Sequence, residues 1–418
     1  MKPISSLSLI LLAGISAPAL AAPPIPVGNG ITLTPLVDAR LRYEGVDQDG
    51  IAENATAVTA RLRSGLEIGV AGGFSLLAEA EGTLAIIEDY NSLTNGRTAF
   101  PVVADPQNVE LNRLQLQYKR PGVTLTAGRQ RINIDDHRFV GNVGWRQNEQ
   151  TFDAVRIEAQ PVEPLKVDLA YVRGVRTIFG IEASDNPPAS PTRQSIDGDN
   201  LFANAAVTFG PVTARGFAFL IDQDEIGRRQ FSSQTYGASA TVGILTSGPT
   251  RLSLSGWYAH QTDWQDNPND YAADYWRVEA TGQLAGFNLT AGHEVLGADD
   301  SPAFAFQTPL ATLHKFNGWA DKFLTTPANG LRDSYASVGR TLTDLGPFPD
   351  LNVAVAYHHF ESDRLGLSYG DEWDAQLGFR IRRVGILAKF ARYDRSGAAN
   401  FLGDADTTKF WLQLEWAI

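Results

Sequence analysis

Apolar and polar residues alternate with a period of two along most of this chain. Between residues 113 and 119, apolar side chains at the even positions alternate with arginine, glutamine and lysine, and the alternation resumes after 120–122. A period of two is that of a β-strand with one apolar and one polar face. Two such runs joined by a Pro-Gly turn therefore predict a β-hairpin.

The same pattern recurs to the last residue and predicts 18 strands. They are expected at 31–44, 58–70, 74–86, 109–119, 123–132, 150–159, 165–173, 200–209, 212–221, 233–242, 250–260, 272–282, 287–295, 331–341, 351–359, 369–381, 385–393 and 407–418. The final strand keeps its alternation to Ile418, which would leave a fraying apolar edge unless it pairs with the first strand. Closure into a barrel removes that edge, as a bilayer requires.

The connections between these strands alternate between short and long. Eight short ones, such as 71–73, separate nine long ones, such as 88–107, 174–199 and 297–330. This rhythm is typical of an up-and-down barrel with short periplasmic turns and long outer loops. The sequence therefore predicts an all-β fold, an 18-stranded antiparallel transmembrane β-barrel of the outer-membrane type. The alternative is a soluble β-sandwich, for which the long loops are unusual.

The ends and the composition of the chain agree with export. Lys2, an apolar run at 7–15 and small residues up to Ala21 predict a signal peptide over 1–21, followed by a single barrel domain over 22–418 in the bacterial outer membrane. The chain has no cysteine, which excludes a disulfide framework. Its formal net charge of −12 argues against nucleic acid as a partner.

Several motifs resemble those of a known family. They are Gly128-Arg129-Gln130, Arg138 followed by 141–147, Phe152-Asp153-Ala154-Val155-Arg156, and the stretch 306–333. Through them the chain resembles the alginate export family of outer-membrane β-barrels. The resemblance implies a barrel of the size predicted above, with an arginine-lined lumen that passes an acidic polysaccharide. Outer-membrane lipid is an expected partner and, for an exporter, so are periplasmic export proteins.

Arginine outnumbers lysine 28 to 7, and strand parity points many of the arginines into the lumen. A guanidinium stays charged and binds carboxylates through two parallel hydrogen bonds, which suits a path for anionic sugars or acids. The candidate substrate path consists of Arg61, Arg63, Arg113, Arg129, Arg156 and Arg380. The alternative is that these arginines only pair with acidic residues of the same lumen wall, such as Glu79, Glu81 and Glu158.

Arg129 needs a separate argument, because strict parity from the turn at Gly122 points it toward lipid. An outward arginine at that height costs up to ~2–4 kcal/mol. Gly128 could adopt the backbone of a β-bulge that turns the next side chain inward. We therefore expect a bulge or register irregularity at Gly128-Arg129, with Arg129 in the lumen. The alternative is intact parity, with Arg129 reaching toward the outer headgroups.

The long connection at 297–330 is too apolar for a loop in solvent. Its candidate lid or constriction residues are Phe316, Trp319 and Phe323. We expect the segment to fold over or into the barrel mouth. The alternative is that it packs on the outer rim.

No motif in the sequence indicates catalysis or metal binding. The six histidines are scattered, without an HExxH pair or a GxSxG elbow, and no acidic spacing matches a defined calcium loop. We expect no enzyme activity, no cofactor and no metal site. A strand-borne Ser-His hydrolase, a purely structural or adhesive barrel and calcium binding by loop acids are the alternatives.

The predicted function is an outer-membrane channel that passes anionic solutes through an arginine-rich lumen, similar to polyuronate exporters. The alternative is a substrate-specific porin that takes up small organic or aromatic acids. The sequence leaves both the solute and the direction of transport open.

Overall fold

A computed structural model describes residues 23–300, 304–346, 348–398, 401 and 403–418. The predicted signal peptide at 1–21 lies outside the described residues. None of the helices within these ranges is long and apolar enough to cross a membrane.

The described residues form 19 strands. They are β1 (Ile25–Gly28), β2 (Ile31–Gln48), β3 (Ala55–Val70), β4 (Phe74–Asp89), β5 (Asn108–Arg120), β6 (Val123–Gln130), β7 (Thr151–Val162), β8 (Leu165–Arg176), β9 (Ser195–Phe209), β10 (Val212–Ile221), β11 (Ser233–Ser247), β12 (Thr250–Asp263), β13 (Ala272–Leu284), β14 (Phe287–Leu296), β15 (Leu331–Leu345), β16 (Phe348–Glu361), β17 (Ser368–Ile381), β18 (Val384–Arg395) and β19 (Thr407–Ala417). Three short 3-10 helices lie in the long loops, at Ile181–Ala183, Arg229–Phe231 and Leu313–Lys315.

Strands β2 to β19 form a closed antiparallel barrel. Each pairs with the next along the chain, and β19 pairs with β2, where Trp416 stands opposite Ala39. The predicted 18-stranded barrel and its closure by the last strand are therefore confirmed. The proline-containing β1 was not predicted; it folds back on the start of β2, with Ile25 opposite Leu33.

The two faces of the barrel wall differ as the alternation predicts. Leu116, Val155 and Leu412 are exposed on the outside, whereas Arg42 and Glu81 are buried on the inside. In an outer-membrane barrel the short turns face the periplasm and the long loops face outward. Gly122, at φ +79°, allows one of these short turns, between β5 and β6.

Two long loops fold into the barrel and pack against each other. We call residues 131–150 the first inner loop, and residues 297–300 and 304–330 the second inner loop. The amide of Gly141 donates to the carbonyl of Leu310 at 2.9 Å, and the amide of Thr312 donates to that of His137 at 3.0 Å. Backbone pairing of this kind holds the two loops together as one inward layer.

An apolar core fixes this layer to the wall. Phe139 of the first inner loop lies with its ring centroid 5.0 Å from that of Phe217, 5.4 Å from that of Tyr275 and 6.1 Å from that of Phe306. Phe217 and Tyr275 belong to β10 and β13, and Phe306 belongs to the second inner loop. Aromatic side chains bury a large area in such contacts, so they anchor the loops strongly.

Candidate functional site

Arginines of β2 and β3 hold the first inner loop by its backbone carbonyls. Arg40 donates to Glu415 at 2.6 Å and to the carbonyls of Gly144, Trp145 and Arg146 at 3.2, 2.9 and 3.1 Å. Arg42 donates to the Trp145 carbonyl and lies 4.1 Å above the Trp145 ring. These guanidinium groups therefore position the loop.

Three of the six predicted path arginines lie close together on β3 and β5, but each has a carboxylate partner. Arg61 is paired with Asp38, Arg63 with Glu81, and Arg113 with Glu79 at 2.7 Å. The pairing of arginines with acids of the same lumen wall describes these three residues. These three arginines therefore do not form a continuous row of unpaired cations.

Glu149 of the first inner loop joins this network from inside the barrel. Arg131 donates to it, and Arg63 lies 3.6 Å away. Burial opposes the ionisation of Glu149, but Arg131 and Arg63 hold the pKa of its carboxyl below the ordinary value. Arginine and glutamate side chains therefore alternate along this part of the wall, and each charge has a partner of opposite sign.

Arg156 and Arg380 lie apart from that cluster, toward the short-turn end. Arg156 donates to Asp168 at 2.6 Å, and Asp168 lines a cavity of about 680 Å³ together with Glu158 and Lys166. Arg380 is two residues from the turn between β17 and β18. It lies on the same, inward face of β17 as Glu372 and Asp374. The structure does not bring these two arginines into one constriction with Arg61.

The prediction that a register irregularity turns Arg129 into the lumen is wrong. β6 pairs with β5 and β7 without a shift through Arg129, which stands opposite Leu114 and Asp153. Leu114 is exposed on the outer face, so Arg129 is also outward. Gly128 has φ +113°, but this left-handed backbone leaves the parity intact. The alternative of intact parity describes the structure.

The three residues predicted for the lid lie inside the barrel. Trp319 is buried with its ring 3.6 Å from the ammonium of Lys389, and Phe323 packs on Phe360 at a centroid distance of 4.5 Å. Phe316 lies 4.8 Å from the guanidinium of Arg138. Their part in restricting passage stays a prediction.

Lys389 connects both inner loops to the wall. Its ammonium donates to Nε2 of His314 at 2.8 Å and lies 4.1 Å from the ring of Trp145. Nδ1 of His314 is 2.7 Å from Asp321. Burial and the charge of Lys389 lower the pKa of His314 well below its ordinary value. The ring is therefore neutral, and its Nε2 accepts a hydrogen bond from Lys389.

On the extracellular side of this layer lies a cavity of about 450 Å³, which we call the outer cavity. Its charged lining consists of four basic residues, Arg146, Arg228, Lys322 and Lys409, and one carboxylate, Asp321. Its apolar lining includes Ile178, Phe179, Phe231, Leu313 and Leu324. One side of the cavity is therefore cationic and the rest is largely apolar.

Two of these cations form no ion pair within the described ranges. Arg228 donates to the amide oxygen of Gln223 at 2.9 Å and lies 4.6 Å above the ring of Phe231, and burial lowers its pKa to about 10. Lys322 donates to Thr407 at 2.9 Å, and burial followed by the charge of Lys409 lowers its pKa to about 8. Both remain positive at neutral pH and face a cavity large enough for an anion.

Sequence reasoning missed the residues of the outer cavity. Arg228 follows an acidic run in the loop between β10 and β11, which gave no reason to single it out. Lys322 and Arg146 lie in the stretches that carry the family resemblance. That position is the only feature of the sequence that could have marked them as functional residues.

A model of the alginate export family matches residues 38–194, so the resemblance is confirmed for that part of the chain. No curated protein matches the sequence. Among solved structures, Acinetobacter baumannii OccAB2 superposes with a TM-score of 0.70 at 14% identity, covering 92% of this chain and 98% of the other. OccAB1 of the same organism gives 0.67 at 12%, with coverage of 92% and 97%. Pseudomonas aeruginosa OpdK with vanillate gives 0.65 at 14%, with coverage of 92% and 98%.

These likenesses establish the fold, an 18-stranded barrel of the kind found in bacterial outer-membrane channels. The apolar outer face agrees with the predicted location in the outer membrane.

Proposed function

Starting from this family match and this channel fold, we propose that the protein is an outer-membrane channel for anionic solutes and that the outer cavity binds them first. The observation that carries the proposal is the lining of that cavity, four basic side chains against one carboxylate. Arg228 donates to Gln223 and Lys322 donates to Thr407, and both acceptors are neutral. The positive charge of each side chain is therefore not compensated, and its other N–H groups can donate to an incoming carboxylate. A partly buried cation binds an anion more strongly than one in open water.

The dimensions of the outer cavity favour a small organic acid. At about 450 Å³ it falls in the range of roughly 300–1,000 Å³ typical of small-molecule sites. Its apolar side, with Phe179 and Phe231, suits a hydrocarbon or aromatic body behind the carboxylate. The structure of OpdK with vanillate is consistent with such a solute for a barrel of this fold.

Polyuronate export is the second candidate, and the match of residues 38–194 to the alginate export family favours it. A polysaccharide chain that crosses the lumen would have to pass both inner loops. The core around Phe139 opposes displacement of these loops, since its aromatic contacts would be lost.

Planar-bilayer recordings with Arg228→Gln test the proposal. The wild-type channel should prefer anions in a salt gradient, and benzoate should block its current. Loss of one charge-assisted hydrogen bond of about 1.5 kcal/mol should raise the half-blocking concentration of benzoate about tenfold.

Arg229→Gln is the matched control. Arg229 is the next residue, and its guanidinium donates to the Asp224 carbonyl away from the cavity lining. Arg229→Gln should therefore leave the half-blocking concentration of benzoate unchanged. Cation preference in the wild type, or an equal effect of both variants, would contradict the proposed function, and block by oligouronates alone would favour the export candidate.

A further inference from the structure

The barrel wall has a gap beside β5. The register of β5 with β6 covers only 114–120, because β6 ends at Gln130 and the chain then enters the lumen as the first inner loop. On the other side β5 is paired with β4 as far as Asn108, opposite Thr83. Residues 108–113 therefore have no strand partner on the β6 side within the described chain.

Side chains and a loop compensate for this open edge. Arg129 donates to the carbonyl of Leu111 at 3.0 Å, and the amide of Ile181 donates to Oδ1 of Asn108 at 2.9 Å. An unsatisfied strand edge is not tolerated in the hydrocarbon region of a bilayer. The outward position of Arg129 follows from this requirement, and the loop at 177–183 occupies the gap itself.

This loop has the outer cavity on one side and the membrane on the other. Thr177, Ile178 and Phe179 line the outer cavity. Ile181 and Glu182 line a groove of about 660 Å³ on the outer wall, whose apolar surface includes Leu62, Leu84 and Val109. A single residue of the chain, Gly180, thus separates the residues that line the internal cavity from those that line the lipid-facing groove.

The attachment of the loop is polar and local. Asn148 donates to the carbonyl of Ile178 at 3.0 Å, and Thr94 donates to Glu182 at 2.8 Å. Gly180 adopts φ +54°, and a Cβ there would lie 2.4 Å from the Asn108 side chain, so only glycine fits this turn over β5. The loop can therefore move without breaking a strand pairing of the barrel.

We propose that residues 177–183 close a lateral window in the barrel wall, and that the channel binds an amphipathic anion with its head in the outer cavity and its hydrocarbon tail through this window. The proposal rests on the proposed function, since the head requires the cations of the outer cavity. The tail requires an apolar path, which Ile178 and Phe179 begin and Leu84 and Val109 continue on the outside. Each methylene moved from water into such a path adds to affinity.

Block of the ionic current by alkyl sulfonates tests the window, because the sulfonate head stays charged at all relevant pH values. Octanesulfonate should block the wild-type channel at a far lower concentration than methanesulfonate. The double variant Asn108→Cys/Ile181→Cys keeps Gly180 and lies in a chain without other cysteines; because the Ile181 amide is 2.9 Å from the Asn108 side chain, it should form a disulfide that fixes the loop to β5. Oxidation should remove the advantage of octanesulfonate, and reduction of the same protein should restore it.

Val109→Trp provides a second test that leaves the loop intact. Val109 lies outside the barrel, so the added ring fills the groove and should lower block by octanesulfonate without changing block by methanesulfonate. Val355→Trp, at an outward position of β16, is the control and should change neither.

The outcomes separate the window from the channel. If octanesulfonate keeps its advantage in both the oxidised protein and Val109→Trp, the tail binds wholly inside the cavity and the window is refuted. Equal loss of block by both sulfonates on oxidation would also refute it. If neither sulfonate blocks the wild type, the proposed function itself fails, and the window fails with it.

Discussion

Arg129 of β6 and Asp153 of β7 face each other on the outside of the barrel and form two parallel hydrogen bonds, of 2.8 and 2.9 Å. Val155, on the same parity as Asp153, is exposed to the membrane side. Because the guanidinium also binds the Leu111 carbonyl, the ion pair belongs to the wall and its open edge. It contributes no charge to the lumen.

Arg129→Ala should therefore destabilise the barrel without changing its ion preference. The substitution leaves Asp153 and the Leu111 carbonyl without their hydrogen-bond partner in a lipid-facing position, at a cost of about 1–3 kcal/mol. Urea unfolding in lipid vesicles measures the loss, and the reversal potential in a salt gradient should stay at the wild-type value.

Arg173→Ala is the control for this prediction. Arg173 pairs with Asp199 at 2.7 Å in a similar outward geometry, but more than half of each side chain is exposed. Its removal should cost much less stability than that of Arg129, because solvent screens an exposed ion pair. A shift of the reversal potential in Arg129→Ala would show that the residue contributes to the permeation path after all.

The same residue shows how far the sequence could predict the structure. The strands were predictable because lipid requires a largely apolar outer face, so a period of two runs through most of each strand and fixes the parity. Arg129 breaks that rule for a reason that lies elsewhere in the chain, namely the end of β6 at Gln130 instead of at 132, where the chain turns into the lumen. Alternation within one strand carries no information about that departure.

The site was less predictable than the fold. Parity correctly points Arg61, Arg63 and Arg113 inward, but it cannot show which groups they bind. Their partners come from neighbouring strands and, for Arg63, from Glu149 of the first inner loop. The path of a loop inside a barrel depends on tertiary packing, such as that of Phe139, and not on local pattern.

Arg40→Gln should loosen the first inner loop and enlarge the conducting pathway. The wild-type guanidinium donates hydrogen bonds to Glu415 and to the carbonyls of Gly144 and Trp145. Removal of one partner from a buried ionic network costs about 3–5 kcal/mol. Single-channel recordings should show higher conductance and more frequent substates than in the wild type. Arg380→Gln, near the short-turn end, has no loop to release and should leave substate frequency unchanged.

Trp319→Ala should have the corresponding effect on the second inner loop. The ring of Trp319 is buried against Lys389, and truncation of a buried tryptophan costs about 3–5 kcal/mol. The loop should open more often, which increases conductance and the rate at which protease cleaves within 304–330 in intact vesicles.

Trp373→Ala is matched to it, because Trp373 is an outward tryptophan of β17 with more than half of its surface exposed. It should change neither conductance nor cleavage. Equal conductance in Trp319→Ala and the wild type would mean that the second inner loop does not restrict passage.

Anion binding in the outer cavity should weaken as pH rises through about 8, because Lys322 loses its proton there. Burial, and then the charge of Lys409, lower the pKa of Lys322 to about 8, so the side chain is positive below that pH and neutral above it. Asp321 remains ionised, since burial is outweighed by Lys409 and His314, which hold its pKa well below the ordinary value. Arg228, with a pKa of about 10, keeps most of its charge up to pH 9.

The measurement is the half-blocking concentration of benzoate between pH 7 and pH 9. In the wild type it should rise with pH, and because a bound anion favours the protonated amine, the midpoint should lie somewhat above the pKa of the empty cavity. Lys322→Arg should bind benzoate with little pH dependence, since a guanidinium stays charged throughout this range. Lys322→Met should also show a flat profile, but at the weaker affinity that the wild type reaches at pH 9. A slope that persists in Lys322→Arg would assign the titration to another group and remove Lys322 from the binding site.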